Sequence, residues 1–169
     1  MIKREEYLKK IRPFMSKEIV KVLTGIRRCG KSVMLELIKE DLVSQGIKKE
    51  NLFSVNFETG AVSYVKSLEE TYEVVKEFAA KRKEKIYLFF DEIQELPHWE
   101  KLINSIMIDF DADIYITGSN AKMLSGELAT YLGGRYVEFK IYPFSFAEVL
   151  QMLPDKPEAE VFQTYLTKG

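Results

Sequence analysis

The segment Gly25-Ile26-Arg27-Arg28-Cys29-Gly30-Lys31-Ser32 constrains this chain more than any other. It places Gly-Lys-Ser four free positions after a first glycine, between an apolar run at 19–23 and a stretch of helical periodicity from Lys31. Glycines at that spacing let the backbone take angles that side chains forbid, so successive N–H groups turn inward around an anion. A helix opening at Lys31 adds unpaired N–H donors and the positive end of its dipole. Strand, glycine turn and helix in this order are the context in which the pattern cradles nucleotide phosphates. Lys31 is then the point charge toward the β- and γ-phosphates, the Ser32 hydroxyl a ligand of Mg²⁺, and Gly25 through Val33 the nucleotide-binding set.

Within the loop, Arg27 and Arg28 must either contact the anion or be held away by carboxylates. Cys29 lies near a helix N-terminus that would lower its pKa. It is weighed as an oxidation-sensitive thiol against a small filler, and it reads as the filler.

The rest of the chain alternates strand and helix. Residues 4–11 put Tyr7, Leu8 and Ile11 at helical spacing before Pro13, a lead-in that packs on the sheet or, alternatively, touches an adenine ring. Met34, Leu35, Leu37, Ile38 and Leu42 form one helical face that stops at Gly46. Residues 51–57 alternate as a strand with one well-buried face, ending Glu58-Thr59-Gly60, and a helix is expected over 66–84. Lys81-Arg82-Lys83 at its exit reads as a solvated helix end rather than a nucleic-acid contact.

Ile86 to Phe90 is five apolar residues in a row, the mark of a strand buried on both faces. Pro97 is expected to open a helix through Ile108, followed by a strand over 113–118, a helix from Asn120 to Leu132 and a strand over 136–141. The lone His98 has no partner at ligand spacing and reads as structural. Further helices are expected at 145–152 and over the segment holding Val161, Phe162, Tyr165 and Leu166. The apolar face of this last segment has no evident partner, which suggests a truncated piece. The alternation predicts an α/β architecture with a mainly parallel sheet.

Composition sets outer bounds. A chain of 169 residues, 46% hydrophobic, fills one substantial core. Twenty-five basic against 26 acidic residues leave a net charge of -1, so bulk electrostatics do not announce nucleic acid. The single cysteine excludes a disulfide framework and suits a reducing cytoplasm. No apolar run is long enough to span a bilayer, so a soluble, cytoplasmic protein is expected.

Two strand ends carry further chemistry. Asp91 and Glu92 close the apolar strand: the first can hold Mg²⁺ through its water shell, the second can orient or deprotonate an attacking water. Thr117-Gly118-Ser119-Asn120 offers a γ-phosphate sensor, with Ser119 a narrow favourite over Thr117 and Asn120, although Ser119 or Asn120 can equally cap a helix. Arg135, after Gly133-Gly134, is either a guanidinium delivered to a γ-phosphate or a surface ion pair.

Taken together, Gly25-Ile26-Arg27-Arg28-Cys29-Gly30-Lys31-Ser32, Leu88-Phe89-Phe90-Asp91-Glu92-Ile93-Gln94, Thr117-Gly118-Ser119-Asn120, Leu132-Gly133-Gly134-Arg135 and Tyr142-Pro143-Phe144-Ser145-Phe146 resemble the prokaryotic AAA+-like ATPases. Within these the chain is similar to the family whose phosphate loop reads G-x-R-R-x-G-K-[ST] and whose domain closes with L-x-G-R and P-x-S-F. The resemblance implies a three-layer P-loop NTPase fold with the strand ending at Thr117 between the phosphate-loop strand and the Asp91 strand. It implies Lys31 and Ser32 as Walker A residues, Asp91 as the Walker B metal residue, Glu92 as catalytic base and Arg135 as arginine finger or sensor. It also implies an ATPase domain over residues 1–153, with 154–169 as connector to a C-terminal region, nuclease-like in some members and winged-helix-like in others.

The leading function is Mg-dependent ATP hydrolysis coupled to a conformational or assembly change. A nucleotide switch with negligible turnover and a small-molecule kinase are the alternatives; Glu92 beside Asp91 suits a water nucleophile and speaks against the kinase. A homo-oligomer follows if Arg135 acts in trans, and DNA or a protein partner both fit.

Overall fold

In the computed structural model, residues 3–58, 67–119 and 132–168 are described. Five strands form one sheet: β1 (Val20–Gly25), β2 (Leu52–Asn56), β3 (Ile86–Asp91), β4 (Ala112–Ser119) and β5 (Tyr136–Lys140). Their order is β2-β3-β4-β1-β5 and every pairing is parallel. β4 therefore lies between β1 and β3, and both its neighbours end in the segments singled out above. The helices are α1 (Glu5–Ile11), α2 (Lys31–Ser44), α3 (Leu68–Ala80), α4 (Trp99–Asp109), α5 (Phe146–Met152) and α6 (Glu158–Lys168).

The continuous apolar runs are explained by this layering. In β3, Ile86, Leu88 and Phe90 face Val75 of α3 and Leu102, Ile103 and Ile106 of α4. Tyr87 and Phe89 point the other way, toward Leu8 and Ile11 of α1 and Met34, Ile38 and Leu42 of α2. Successive side chains of a strand alternate faces, so a strand covered on both sides must be apolar throughout. On the α2 face, Phe89 stacks on Tyr115 of β4 with ring centroids 4.9 Å apart. This is a three-layer α/β fold, with α1 packed into the core.

Some boundaries move from their expected positions. β2 is an edge strand paired only with β3, so Phe53 and Val55 are half-buried and the expected well-buried face is not formed. α4 starts at Trp99 instead of Pro97, because His98 sits at its N-cap with φ +58° and takes the turn. Arg82 lies beyond the end of α3, its guanidinium stacked 3.4 Å from the Phe78 ring centroid and donating to the Glu50 carbonyl, so it is bound to the fold rather than simply solvated. The apolar face of α6 also has a partner: Phe162 and Tyr165 pack on Phe146 of α5, with centroids 5.3 and 5.6 Å apart. The helix expected between Asn120 and Leu132, Asn120 itself and Thr59-Gly60 lie outside the described residues.

Toward the amino ends of the strands the core holds an ion pair that no periodicity announces. Lys21 of β1 and Asp113 of β4 are fully buried and paired, and Lys21 also donates to the Lys17 carbonyl at 2.8 Å. Asp113 accepts from the Tyr115 hydroxyl at 2.8 Å and from the Ser16 amide at 2.7 Å. Burial lowers the Lys21 pKa despite the Asp113 charge and pushes the Tyr115 phenol up.

Candidate active site

The segments that carry chemistry meet at the carboxyl edge of the sheet, where open α/β sheets bind ligands. β1 ends at Gly25 and the chain turns through the loop into α2. Arg28 and Gly30 both adopt positive φ, +66° and +95°, and no side chain caps the first turn of α2. The helix N-terminus is thus left to an anion. Gly25 has a packing reason as well: a Cβ there would meet the Ile141 carbonyl oxygen at 2.4 Å and the Cys29 sulfur at 2.6 Å. Cys29 is buried against this glycine, the place of a filler.

Lys31 is buried, with its ammonium 3.4 Å from the Ile26 carbonyl and 3.2 Å from Glu92 Oε1. That contact joins the glycine loop to the end of β3. Glu92 has φ +51° and ψ +48°, a left-handed conformation that costs a non-glycine residue energy and persists where the surroundings enforce it. The enforcement is visible. The Glu92 amide donates to Thr117 Oγ1 at 2.9 Å, and Gln94 Nε2 donates to Glu92 Oε2 at 2.5 Å.

Asp91 is held from both sides. Thr117 Oγ1 donates to its Oδ1 at 2.5 Å, and Asn56 Nδ2 donates to its Oδ2 at 2.9 Å. Ser32, Asp91 and Asn56 line one cleft. Among the described residues no group of three or more His, Cys, Asp or Glu could hold a metal ion alone. The hydroxyl and carboxylate in this cleft nevertheless fit Mg²⁺, which commonly takes one or two protein oxygens and completes its shell with water and phosphate.

The expected residues do not all converge. Of the sensor candidates, Thr117 is the one bonded to Asp91 and to Glu92, whereas Ser119 pairs with Gly25 in the sheet, beside the loop. Arg27 is held by a carboxylate: it is 79% exposed and lies 2.6 Å from Glu58 Oε1. Arg28 is exposed. Arg135 stands at the start of β5, its carbonyl accepting from the Val20 amide and its Nη2 donating to Asn104 Oδ1 at 3.3 Å. It therefore sits at the amino edge of the sheet, the length of β1 away from the loop, about 16 Å at ~3.3 Å per residue. In this arrangement Arg135 does not reach the loop of its own chain.

Three participants were not expected from the sequence. Asn56 and Gln94 flank the carboxylates, and Arg4, from the amino-terminal segment, donates to the Cys29 carbonyl of the loop at 3.2 Å. Asn56 had a readable signal, a polar residue closing a strand at the ligand edge, in register with Asp91.

Comparisons with known proteins bear on the family and the fold. The chain is 47% identical over 150 residues to an uncharacterized protein of Haemophilus influenzae, covering 89% of this chain and 38% of that one. It is 36% identical over 133 residues to an uncharacterized protein of Methanocaldococcus jannaschii, covering 78% of this chain and 28% of that one. It thus spans less than half the length of these relatives. Among solved structures it superposes on the Aeropyrum pernix ORC1 protein in complex with DNA, with TM-score 0.63, 16% identity and coverage of 95% of this chain and 50% of that one. It also superposes on PCH-2 of C. elegans, with TM-score 0.57, 15% identity and coverage of 89% and 42%. These two likenesses concern the fold. No helix among the described residues is long and apolar enough to cross a membrane. A family model described as AAA domain matches residues 17–150, from the approach to β1 into α5, and across that much of its length the chain belongs to the AAA domain family.

Proposed function

We propose that this chain binds ATP with Mg²⁺ and hydrolyses it, using the changed state of the site to drive a conformational or assembly change. The observation that carries the reading is the 3.2 Å contact between Lys31 Nζ and Glu92 Oε1, which sets an acid–base carboxylate beside the cation of an anion-binding loop. Lys31 and the first-turn amides of α2 hold the β- and γ-phosphates. Ser32, and Asp91 through the water shell, would hold Mg²⁺, which would supply neutralising charge to the phosphates. Glu92 takes the proton of the attacking water, and Thr117 fixes the backbone from which Glu92 projects. For Glu92 to act, its carboxylate must leave Lys31, which the γ-phosphate favours by claiming the ammonium.

Residues 1–153 form the ATPase domain in this reading and 154–169 a connector. The protein works in the cytoplasm, and its partner is a DNA or protein surface. Arg135, remote from its own loop, completes the site of a second copy in an oligomer. A nucleotide switch is the second reading, favoured by the engagement of both Glu92 oxygens and both Asp91 oxygens in the present arrangement.

Mg-dependent phosphate release and ATP binding, measured on the wild type, Lys31→Ala and Glu92→Gln, separate the two. Hydrolysis predicts that Lys31→Ala loses binding, and that Glu92→Gln binds within a few-fold of wild type while turnover falls by ~10²-fold or more, the scale of losing a positioned general base. Binding without turnover in the wild type establishes the switch.

A further inference from the structure

Arg4 is 2% exposed, and each of its three guanidinium nitrogens donates to the protein. Nε and Nη2 form a fork on Glu148 of α5 at 2.7 and 3.3 Å. Nη2 also donates to the Tyr142 carbonyl at 2.9 Å, and Nη1 donates to the Cys29 carbonyl at 3.2 Å. Its central carbon lies over the rings of Tyr7 and Phe144, 4.5 and 4.8 Å from their centroids. Glu148 in turn accepts from the Ser145 amide at 2.8 Å and closes the capping box of α5. One planar, rigid cation thus joins the amino-terminal helix, the glycine loop and the turn from β5 into α5.

The consequence for the loop follows from peptide geometry. In a trans peptide the C=O and the next N–H point in opposite directions. With the Cys29 carbonyl held on the Arg4 side, the Gly30 N–H, which lies in the same peptide plane and points the opposite way, is directed away from Arg4. Gly30 itself has φ +95° and lies against Arg4, since a Cβ there would sit 3.6 Å from Nη1. The fork geometry of arginine is required, because a lysine ammonium cannot span the Cys29 carbonyl, the Tyr142 carbonyl and both Glu148 oxygens.

We propose that Arg4 is a positioning residue that orients the Cys29–Gly30 peptide for phosphate binding and, through Glu148, makes helix α5 sense whether the loop is occupied. This rests on the reading of the loop as a nucleotide site.

The test separates positioning from stability. Removing Arg4 alone leaves the half-buried Glu148 carboxylate without its cation, so the informative variant is Arg4→Met with Glu148→Gln, which neutralises the pair, nearly keeps the volume and leaves a residue suited to the capping box. Mg-ATP affinity is measured by calorimetry on the wild type, this double variant, Arg4→Lys and Lys31→Ala, with folding verified by circular dichroism. The expected result is a ~10-fold rise in dissociation constant for the folded double variant and for Arg4→Lys. Hydrogen exchange adds a second readout: amides over 145–152 slow on Mg-ATP binding in the wild type and lose that response in the double variant. Affinities within twofold of wild type in both variants overturn the proposal, leaving Arg4 a structural tie. Failure of the wild type itself to bind Mg-ATP, or binding unaffected by Lys31→Ala, overturns the nucleotide reading instead, and this inference with it.

Discussion

Thr117 shows how much one hydroxyl organises. It donates to Asp91 in a buried setting and accepts from the Glu92 amide in a half-buried one. Thr117→Val keeps shape and strand propensity but leaves a carboxylate oxygen and an N–H without their partner. Such orphaned groups cost about 1–3 kcal/mol each. The expected outcome is a loss of that order in denaturant unfolding, together with a drop in ATP turnover larger than any change in ATP binding. Gly25 fails differently. Gly25→Ala drives a Cβ into the Ile141 carbonyl, the backbone of a residue whose amide donates to the Thr24 carbonyl of β1 and so is held in place; the loop must therefore shift. Nucleotide binding is expected to fall by at least 10-fold, read by the same titration.

At the scale of elements, α2 is anchored at both ends by charges distant in sequence. Arg12, following α1, donates to Asp41 of α2 at 2.8 and 3.0 Å and also holds Glu5. The Arg12 hydrogen bonds hold the Asp41 carboxyl below its ordinary value of 3.8, against the opposing effect of burial. A depressed carboxyl stabilises the fold fully above its unfolded value and loses that contribution as pH falls through the folded one. The melting-temperature gap between the wild type and Asp41→Asn is therefore expected to be constant near neutrality and to close below about pH 4. Helix α5 depends on its start: Ser145 accepts from the Glu148 amide, and losing an N-cap of this kind costs about 1 kcal/mol.

Over the whole molecule, two ends of one sheet do different work. The carboxyl edge gathers the loop, Asp91, Glu92 and Thr117, while the sheet core toward the amino ends holds Lys21 and Asp113, fully buried and mutually paired. Asp113→Ala leaves the Lys21 ammonium buried with its charge uncompensated, and such breakage costs about 3–5 kcal/mol. Thermal unfolding of this variant is expected to fall sharply without any direct change at the nucleotide loop. Arg135 at the amino edge belongs to this scale too. If it serves a second copy, ATP turnover per chain rises with protein concentration, and Arg135→Ala removes the rise while leaving ATP affinity unchanged.

Local chemistry was legible in the sequence. The glycine spacing, the both-faces-apolar β3 with its terminal Asp91 and Glu92, and the alternation that demands a parallel sheet each depend on neighbours in the chain. Steric permission, strand periodicity and helix dipoles act within a few residues, so Lys31, Ser32, Asp91 and Glu92 were nameable before any coordinates. What only the tertiary structure decided concerns pairs far apart in sequence. Arg4 meets Glu148, Lys21 meets Asp113, Asn56 meets Asp91, and Arg135 lands on the edge of the sheet opposite the loop of its own chain. Strand order sets these meetings: crossing from β1 to the far edge and back through β3 and β4 brings Thr117 to Asp91, while the parallel start of β5 beside Val20 carries Arg135 away. Sheet pairing is a long-range contact chosen by the burial of whole faces, and a linear pattern of residues does not carry it.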